Sequence, residues 1–203
     1  MLYDSPGQVA AFFLPAALLG AVASLVWRRI RKSTAAALLL AGAFGTIWLR
    51  FGLCWHTTVY WWLAWILTGC GVTDAAQKKI PDALIALGFA GWGFLALRNA
   101  WLGFSWLPAL GGLILPALLL LAGVPAEKKL GRRLIGGGDI KLLSLTGVFL
   151  GWEGNLRCLL AAALLGLMYS LLKREKSFPW GPWLALGAWL AFLTERLSPF
   201  WLM

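Results

Sequence analysis

The chain has 203 residues, of which 61% are hydrophobic and only 13% are charged, and it contains 14 Trp and 24 Gly. A soluble domain is nearer ~45–50% apolar, and both Trp and Gly are enriched in membrane proteins, so this composition excludes an ordinary soluble protein. The formal net charge of +10 raises the question of a nucleic-acid partner, which only the positions of the cations can answer.

The hydropathy pattern predicts an all-α, polytopic integral membrane protein with about eight transmembrane helices, because one spanning helix needs about 20 residues. We expect a single membrane-embedded domain over 1–203, with a first helix and basic loop at 9–33 and a helical core at 34–197. The charges follow the first apolar segment instead of preceding it, so we interpret it as a span and not as a signal peptide. The predicted spans lie at 9–27, 34–49, 57–73, 82–97, 106–124, 139–152, 156–172 and 179–197.

The cations between these spans are distributed asymmetrically. Loops on one side collect 14 of the 18 Lys and Arg residues. Short loops rich in Lys and Arg stay in the cytoplasm, so this side is predicted to be cytoplasmic and both termini to lie outside. The charge is therefore explained by membrane topology, and we expect no nucleic-acid partner.

The scattered cysteines do not predict a metal site or a disulfide framework. Cys54, Cys70 and Cys158 form no CxxC pair, and His56 stands alone on the outer side. Residues of these types without ligand spacing are interpreted as packing or interfacial residues, and we expect neither a metal nor a cofactor.

Carboxylates are rare here, and each one near hydrocarbon needs a reason. Asp74 closes the third predicted span, and a short segment leads to Ile80, Pro81 and Asp82 at the start of the fourth. Proline fits the first turn of a helix and disfavours a helical conformation in the residue before it, so the segment 74–81 is predicted to be a tight connection. For Asp82 we favour a role at the positive end of the new helix over a chemical role.

Asp139 follows the glycine triplet Gly136, Gly137 and Gly138 and leads into a short apolar run. The run from Ile140 to Trp152 would make only about 20 Å of helix, against about 30 Å of hydrocarbon. We therefore predict an interrupted helix at this motif, with Asp139 at the floor of a cleft open to the cytoplasm. The alternative, a flexible glycine loop with Asp139 as a helix N-cap, remains equally compatible with the residues.

Asp74 and Asp139 both lie at cytoplasmic helix ends, so packing of the helices can bring them together. Two neighbouring carboxyl groups do not both ionise easily, and such a pair shares a proton. The ionised acid can take a proton from water while the protonated acid polarises a peptide carbonyl. The pair is thus a candidate aspartyl-protease centre.

Taken together, these sequence motifs resemble those of the bacterial type IV prepilin peptidases, which are membrane aspartyl proteases of the GxGD class. Asp74 with Ile80-Pro81-Asp82 is similar to the first aspartate motif of the family, and 136–141, which ends in Lys141, is similar to the second. The segment 178–188 is similar to the one that opens the last helix. The resemblance implies catalytic roles for Asp74 and Asp139 and supporting roles for Ile80, Pro81, Asp82, Gly136, Gly137, Gly138, Lys141, Pro179, Gly181 and Pro182.

The resemblance also implies a substrate and a location. The substrates are prepilins or pseudopilins, whose short basic leader is cut at the cytoplasmic face of the bacterial inner membrane. Full-length relatives carry a domain with two CxxC pairs that is associated with N-methylation; Arg31, Lys32 and Ser33 here run directly into the second span. We therefore expect a short form without methyl transfer, and its oligomeric state stays open.

Two other functions remain as alternatives at this point. A small proton- or solute-coupled transporter also uses membrane acids and broken helices. It does not explain why both acids lie at the same face of the membrane. A catalytically silent assembly factor is the second alternative, and the presence of both aspartates argues against it.

Overall fold

A computed structural model of the chain describes residues 34–52, 55–103, 107–131, 136–173 and 179–194. All regular elements within these ranges are helical, which confirms the predicted all-α class. They are α1 (Thr34–Phe51), α2 (Trp55–Gln77), α3 (Asp82–Trp101), α4 (Leu107–Leu110), a 3-10 turn (Gly111–Leu113), α5 (Ile114–Leu130), α6 (Gly137–Lys173) and α7 (Gly181–Thr194).

These helices follow the apolar segments that the sequence predicts from residue 34 onward. By length and composition, α6 is the helix in the described ranges that is long and apolar enough to cross a membrane. The predicted first span, 9–27, lies outside those ranges. The full set of eight spans therefore stays a prediction.

The chain divides into two compact units, Met1–Trp65 and Ile66–Met203. In the first unit, aromatic contacts join α1 to the start of α2. The Trp61 indole Nε1–H donates to the carbonyl of Phe44 over 3.1 Å, and their rings lie 5.3 Å apart. After α1, Gly52 adopts a left-handed conformation (φ 68°), which glycine tolerates without steric cost.

In the second unit, α6 bends sharply at Gly151. This residue has φ 68° and ψ −171°, far from helical values and accessible mainly to glycine. The Asn155 side-chain amide donates to the Leu143 carbonyl over 3.2 Å, although twelve residues of straight helix would separate their backbones by about 18 Å. The arms 137–150 and 152–173 therefore fold back on each other, as the two separately predicted spans require.

The position of this bend corrects one prediction. We predicted an interrupted helix at the Gly136–Gly138 triplet, but Gly137 and Gly138 are the first residues of α6 and are helical. The triplet opens a helix. The backbone irregularity that the short apolar run demanded lies at the other end of that run, at Gly151.

A buried polar cluster fastens the bend. Asn155 is fully buried, accepts a hydrogen bond from the Thr146 hydroxyl (2.9 Å) and donates to the carbonyl of Gly112 (2.9 Å). Its Nδ2 also donates to Leu143, so the polar groups of the side chain are satisfied, as burial requires. The cluster holds the first arm of α6, which begins with the GGGD motif, against the 3-10 turn.

Candidate active site

Asp74 lies near the C-terminal end of α2 and is 6% exposed. One of its carboxylate oxygens, Oδ2, accepts a hydrogen bond of 2.8 Å from the backbone N–H of Gly181, the first residue of α7. One turn before Asp74, Gly71 packs on Pro182, where an added Cβ would lie 3.3 Å from the proline Cα. The start of α7 thus rests on the end of α2 and fixes the Asp74 carboxylate.

The connection after Asp74 is shorter than the predicted segment 74–81. The helix α2 continues to Gln77, and Lys78 then adopts a left-handed conformation (φ 52°) while its N–H donates to the Asp74 carbonyl over 2.7 Å. Pro81 is extended and forms the N-cap position of α3, which begins at Asp82. The prediction that Pro81 starts a helix is confirmed.

We expect Lys78→Gly to raise the free energy of unfolding by up to about 1 kcal/mol, because the Cβ of lysine is strained in the left-handed conformation. Thermal unfolding in detergent micelles measures this effect. The neighbouring Lys79→Gly removes the same charge from an exposed residue whose φ is not positive. It should leave stability unchanged or lower it, since glycine makes the unfolded chain more flexible. Equal effects of the two substitutions would refute the strain argument.

Asp139 is the third residue of α6 and lies against Gly136. The Gly136 carbonyl accepts the N–H groups of Asp139 (3.0 Å) and Ile140 (3.3 Å). A Cβ added at Gly136 would lie 2.6 Å from the Asp139 Oδ2, so the carboxyl group packs directly on this glycine. Gly136 therefore precedes the first turn of α6, and the alternative in which Asp139 is itself the N-cap is not observed.

The segments that carry the two aspartates contact each other. The charge of Asp74 acts electrostatically on the half-buried Asp139 carboxyl group. Between them, Ile80 packs directly on Gly138, where an added Cβ would lie 3.2 Å from the Ile80 Cβ. The link from α2 to α3 therefore touches the first turn of α6, which brings the two aspartate motifs together.

Three helix N-termini contribute to this site, and each one has a carboxylate close to it. Asp82 lies in the first turn of α3, Asp139 in the first turn of α6, and Asp74 accepts the first N–H of α7. Helix N-termini carry a partial positive charge that stabilises a nearby carboxylate by about 0.3–1 kcal/mol. This arrangement offsets part of the cost of placing acids beside a membrane core.

Asp82 has a further partner that the sequence did not indicate. The helix α3 has no side-chain cap hydrogen bond, and the Asp82 Oδ1 instead lies 2.6 Å from the Nζ of Lys141 on α6. The position of Asp82 in the first turn agrees with the predicted electrostatic role. Its ion pair also connects α3 to the helix that carries Asp139.

The remaining supporting residues differ in their surroundings. Gly137 is exposed, with open space where a Cβ would stand, and Pro182 lies against Gly71. Pro179 is half-buried just before α7. The predicted site residues therefore gather at the ends of α2, α3, α6 and α7, while their catalytic and supporting roles remain predictions.

Two neighbours of Asp74 were not singled out by the sequence argument. Gly71 provides the close contact with α7, and the fully buried thiol of Cys70 lies near enough to interact with the charge of Asp74. The sequence signal that could have indicated them is the presence of small residues about one turn before Asp74. Cys70 and Cys158 are both buried free thiols, in keeping with their interpretation as packing residues.

Comparison with known proteins identifies chains that are similar to this one over most of its length. The prepilin leader peptidase/N-methyltransferase of Pseudomonas putida is 32% identical over 155 residues, which cover 71% of this chain and 52% of that protein. The protein of the same name from Aeromonas hydrophila is 34% identical over 154 residues, covering 68% and 50%. The chain thus spans about half the length of these relatives.

The family comparison covers the part of the chain that contains both aspartates. No solved structure matches the chain. The profile of the type IV leader peptidase family matches residues 61–171, which include Asp74, Ile80, Asp139 and Lys141. The chain belongs to the type IV leader peptidase family.

Proposed function

We propose that the chain is an aspartic-type endopeptidase that removes the short basic leader from type IV prepilins or pseudopilins. The observation that carries this proposal is the packing of Ile80, from the first aspartate motif, on Gly138 of the second, where an added Cβ would lie 3.2 Å from the Ile80 Cβ. Membership of the type IV leader peptidase family and the names of its relatives support the same reaction.

In the proposed reaction, the two carboxyl groups share one proton and activate a water molecule. The ionised aspartate takes a proton from water, whose oxygen attacks the scissile carbonyl, while the other aspartate gives its proton to the carbonyl oxygen. As the tetrahedral intermediate collapses, the C–N bond breaks, the proton taken from water passes from the first aspartate to the leaving amine, and a hydroxyl of the intermediate returns a proton to the second aspartate. One aspartate is then ionised and the other protonated, as at the start of the cycle, and no covalent intermediate has formed.

The open side of the site suits an extended peptide. Gly136 and Gly137 are exposed beside the half-buried Asp139, and Gly137 has open space around its Cβ position. A backbone without side chains lets the substrate backbone approach closely. We propose that the residues around the scissile bond bind along these glycines, just outside the hydrophobic helix of the substrate.

We also propose a membrane location and orientation for the enzyme. The enzyme lies in the bacterial cytoplasmic membrane as a multi-pass protein, with both termini outside and Asp74 and Asp139 near the cytoplasmic face. The charge distribution supports this orientation, because the loops on the aspartate side carry most of the Lys and Arg residues. Membrane lipid and prepilin substrates are the partners that this placement requires.

A transporter is less well supported by the described residues. A proton or ion pathway needs ionisable groups that continue through the membrane. In the helical segments that the structure covers, Asp74 is the buried charged residue, and Asp139 lies at the same end of the helices. This clustering suits a reaction at one surface.

The direct test uses purified protein in proteoliposomes with a prepilin from the genome that encodes the chain. We expect the substrate to lose its leader, seen as a mass decrease equal to the leader, with cleavage immediately before the hydrophobic helix. Protein-free liposomes provide the control. An intact substrate, or a cut elsewhere in its sequence, would overturn the proposal.

A further inference from the structure

An exposed ion pair joins the first turn of α3 to the fifth residue of α6 and has no part in the chemistry proposed above. The Lys141 Nζ lies 2.6 Å from the Asp82 Oδ1, across 59 residues of sequence. The side chains are 54% and 77% exposed, respectively. Both can therefore be changed without opening a cavity in the core.

The charges of this pair differ in how well they suit their helices. Asp82 lies at the N-terminal end of α3, where a carboxylate is favoured, but Lys141 lies close to the N-terminal end of α6, where a cation is disfavoured. Asp82 compensates the charge of Lys141. The contact with Asp82 therefore offsets the unfavourable position of Lys141 near this helix end.

The contact acts close to Asp139. Lys141 is two residues after Asp139 on α6, and Asp82 directly follows the link whose Ile80 packs on Gly138. The Ile80 contact is apolar and tolerates rotation, whereas a charged hydrogen bond is directional. The two contacts together fix both the distance and the rotation of the first turn of α6 relative to the link.

We propose that Asp82 and Lys141 form a positioning pair that holds Asp139 in register with Asp74. This inference rests on the proposed peptidase function. An exposed ion pair contributes little to global stability, with a median of about 0–1 kcal/mol. A misplacement of about 1 Å in an active site costs up to about 10²-fold in rate. The pair therefore affects turnover far more than unfolding.

The test is a double-mutant cycle with Asp82→Asn, Lys141→Gln and the double variant. Each single change is expected to lower kcat by roughly tenfold or more, with KM and the unfolding midpoint nearly unchanged. Because one interaction is lost in all three variants, the double variant should be no slower than the slower single one. The exposed Lys129→Gln on α5 is the control for loss of a lysine and should keep wild-type kcat.

A conservative variant tests whether the ion pair itself is what kcat requires. Asp82→Glu keeps the ion pair and should retain most of the kcat that Asp82→Asn loses. Full activity of both single variants, multiplicative losses in the double variant, or a loss confined to KM would each overturn the inference. Loss confined to KM would indicate a direct contact with substrate.

A second readout does not depend on cleavage. In carbon-13 NMR titrations of labelled aspartates, the titration of Asp139 in the wild type should respond to Asp74→Asn, because the two carboxyl groups interact. In the Asp82→Asn background this response should be weakened. If wild-type protein fails to cleave, the proposed function fails, while an unchanged response in the Asp82→Asn background refutes the positioning pair by itself.

Discussion

Asp74→Asn and Asp139→Asn are each expected to reduce leader removal by roughly 10²–10⁴-fold, the usual contribution of a positioned acid or base. Asparagine has nearly the same shape as aspartate but can neither take a proton from water nor donate one to the carbonyl. The measurement is the rate of leader loss from a prepilin in proteoliposomes, followed by mass spectrometry.

The hydrogen bonds of both aspartates explain why these variants should still fold. The Asp74 Oδ2 accepts the Gly181 N–H, a bond that the carbonyl oxygen of asparagine can also accept. The Asp139 backbone N–H donates to the Gly136 carbonyl, a bond that does not depend on the side chain. We therefore expect unfolding midpoints close to that of the wild type, and Glu153→Gln, an exposed carboxylate at the bend of α6, should leave cleavage unchanged.

The double variant tests whether the aspartates act as one unit. Residues that share a single catalytic step show strongly non-additive effects, so Asp74→Asn with Asp139→Asn should be about as slow as either single variant. Losses that multiply would show that the two carboxyl groups act in separate steps. Near-normal cleavage by either single variant would end the assignment of an aspartate pair.

Local patterns were sufficient to predict the helices and where several of them begin. Pro81 marks the start of α3: it occupies the extended N-cap position, and the helix begins at the next residue. Hydropathy likewise indicated two separate helical segments between 139 and 172, which the arms of α6 provide. These features depend on a few neighbouring residues, so the sequence alone contains the signal.

The contacts that shape the site were not predictable in the same way. Gly181 donates to Asp74 across 107 residues, and Lys141 meets Asp82 across 59. Such pairs depend on the packing of several helices, for which no local period exists. The bend in α6 was only partly predictable. The short apolar run correctly predicted an irregular backbone, but glycines lie at both ends of the run. Tertiary packing, which the sequence pattern does not show, selects Gly151.

Substitutions of the glycines around the two aspartates should show whether these glycines are needed for close contact with the carboxyl groups or only for a flexible backbone. At Gly136 an added Cβ would lie 2.6 Å from the Asp139 Oδ2, and at Gly181 it would lie 2.8 Å from the Asp74 Oδ2. Real Cβ atoms do not approach this closely, so either alanine displaces a carboxylate. We expect Gly136→Ala and Gly181→Ala each to lower kcat for leader removal by about 10²-fold, the cost of misplacing a catalytic group by about 1 Å.

Gly137→Ala is the matched control, because nothing lies within 4 Å of its Cβ position although it stands between Gly136 and Gly138. Alanine is favoured over glycine in a helix by about 0.5–1 kcal/mol, so this variant should unfold at a slightly higher temperature and keep its kcat, and any effect of the methyl group on the proposed peptide path should fall on KM. If these glycines served only as flexible hinges, all three alanine variants would lose kcat alike, since each removes the same backbone freedom. A pattern in which 136 and 181 are sensitive and 137 is tolerant therefore requires direct contact between glycine backbone and carboxylate.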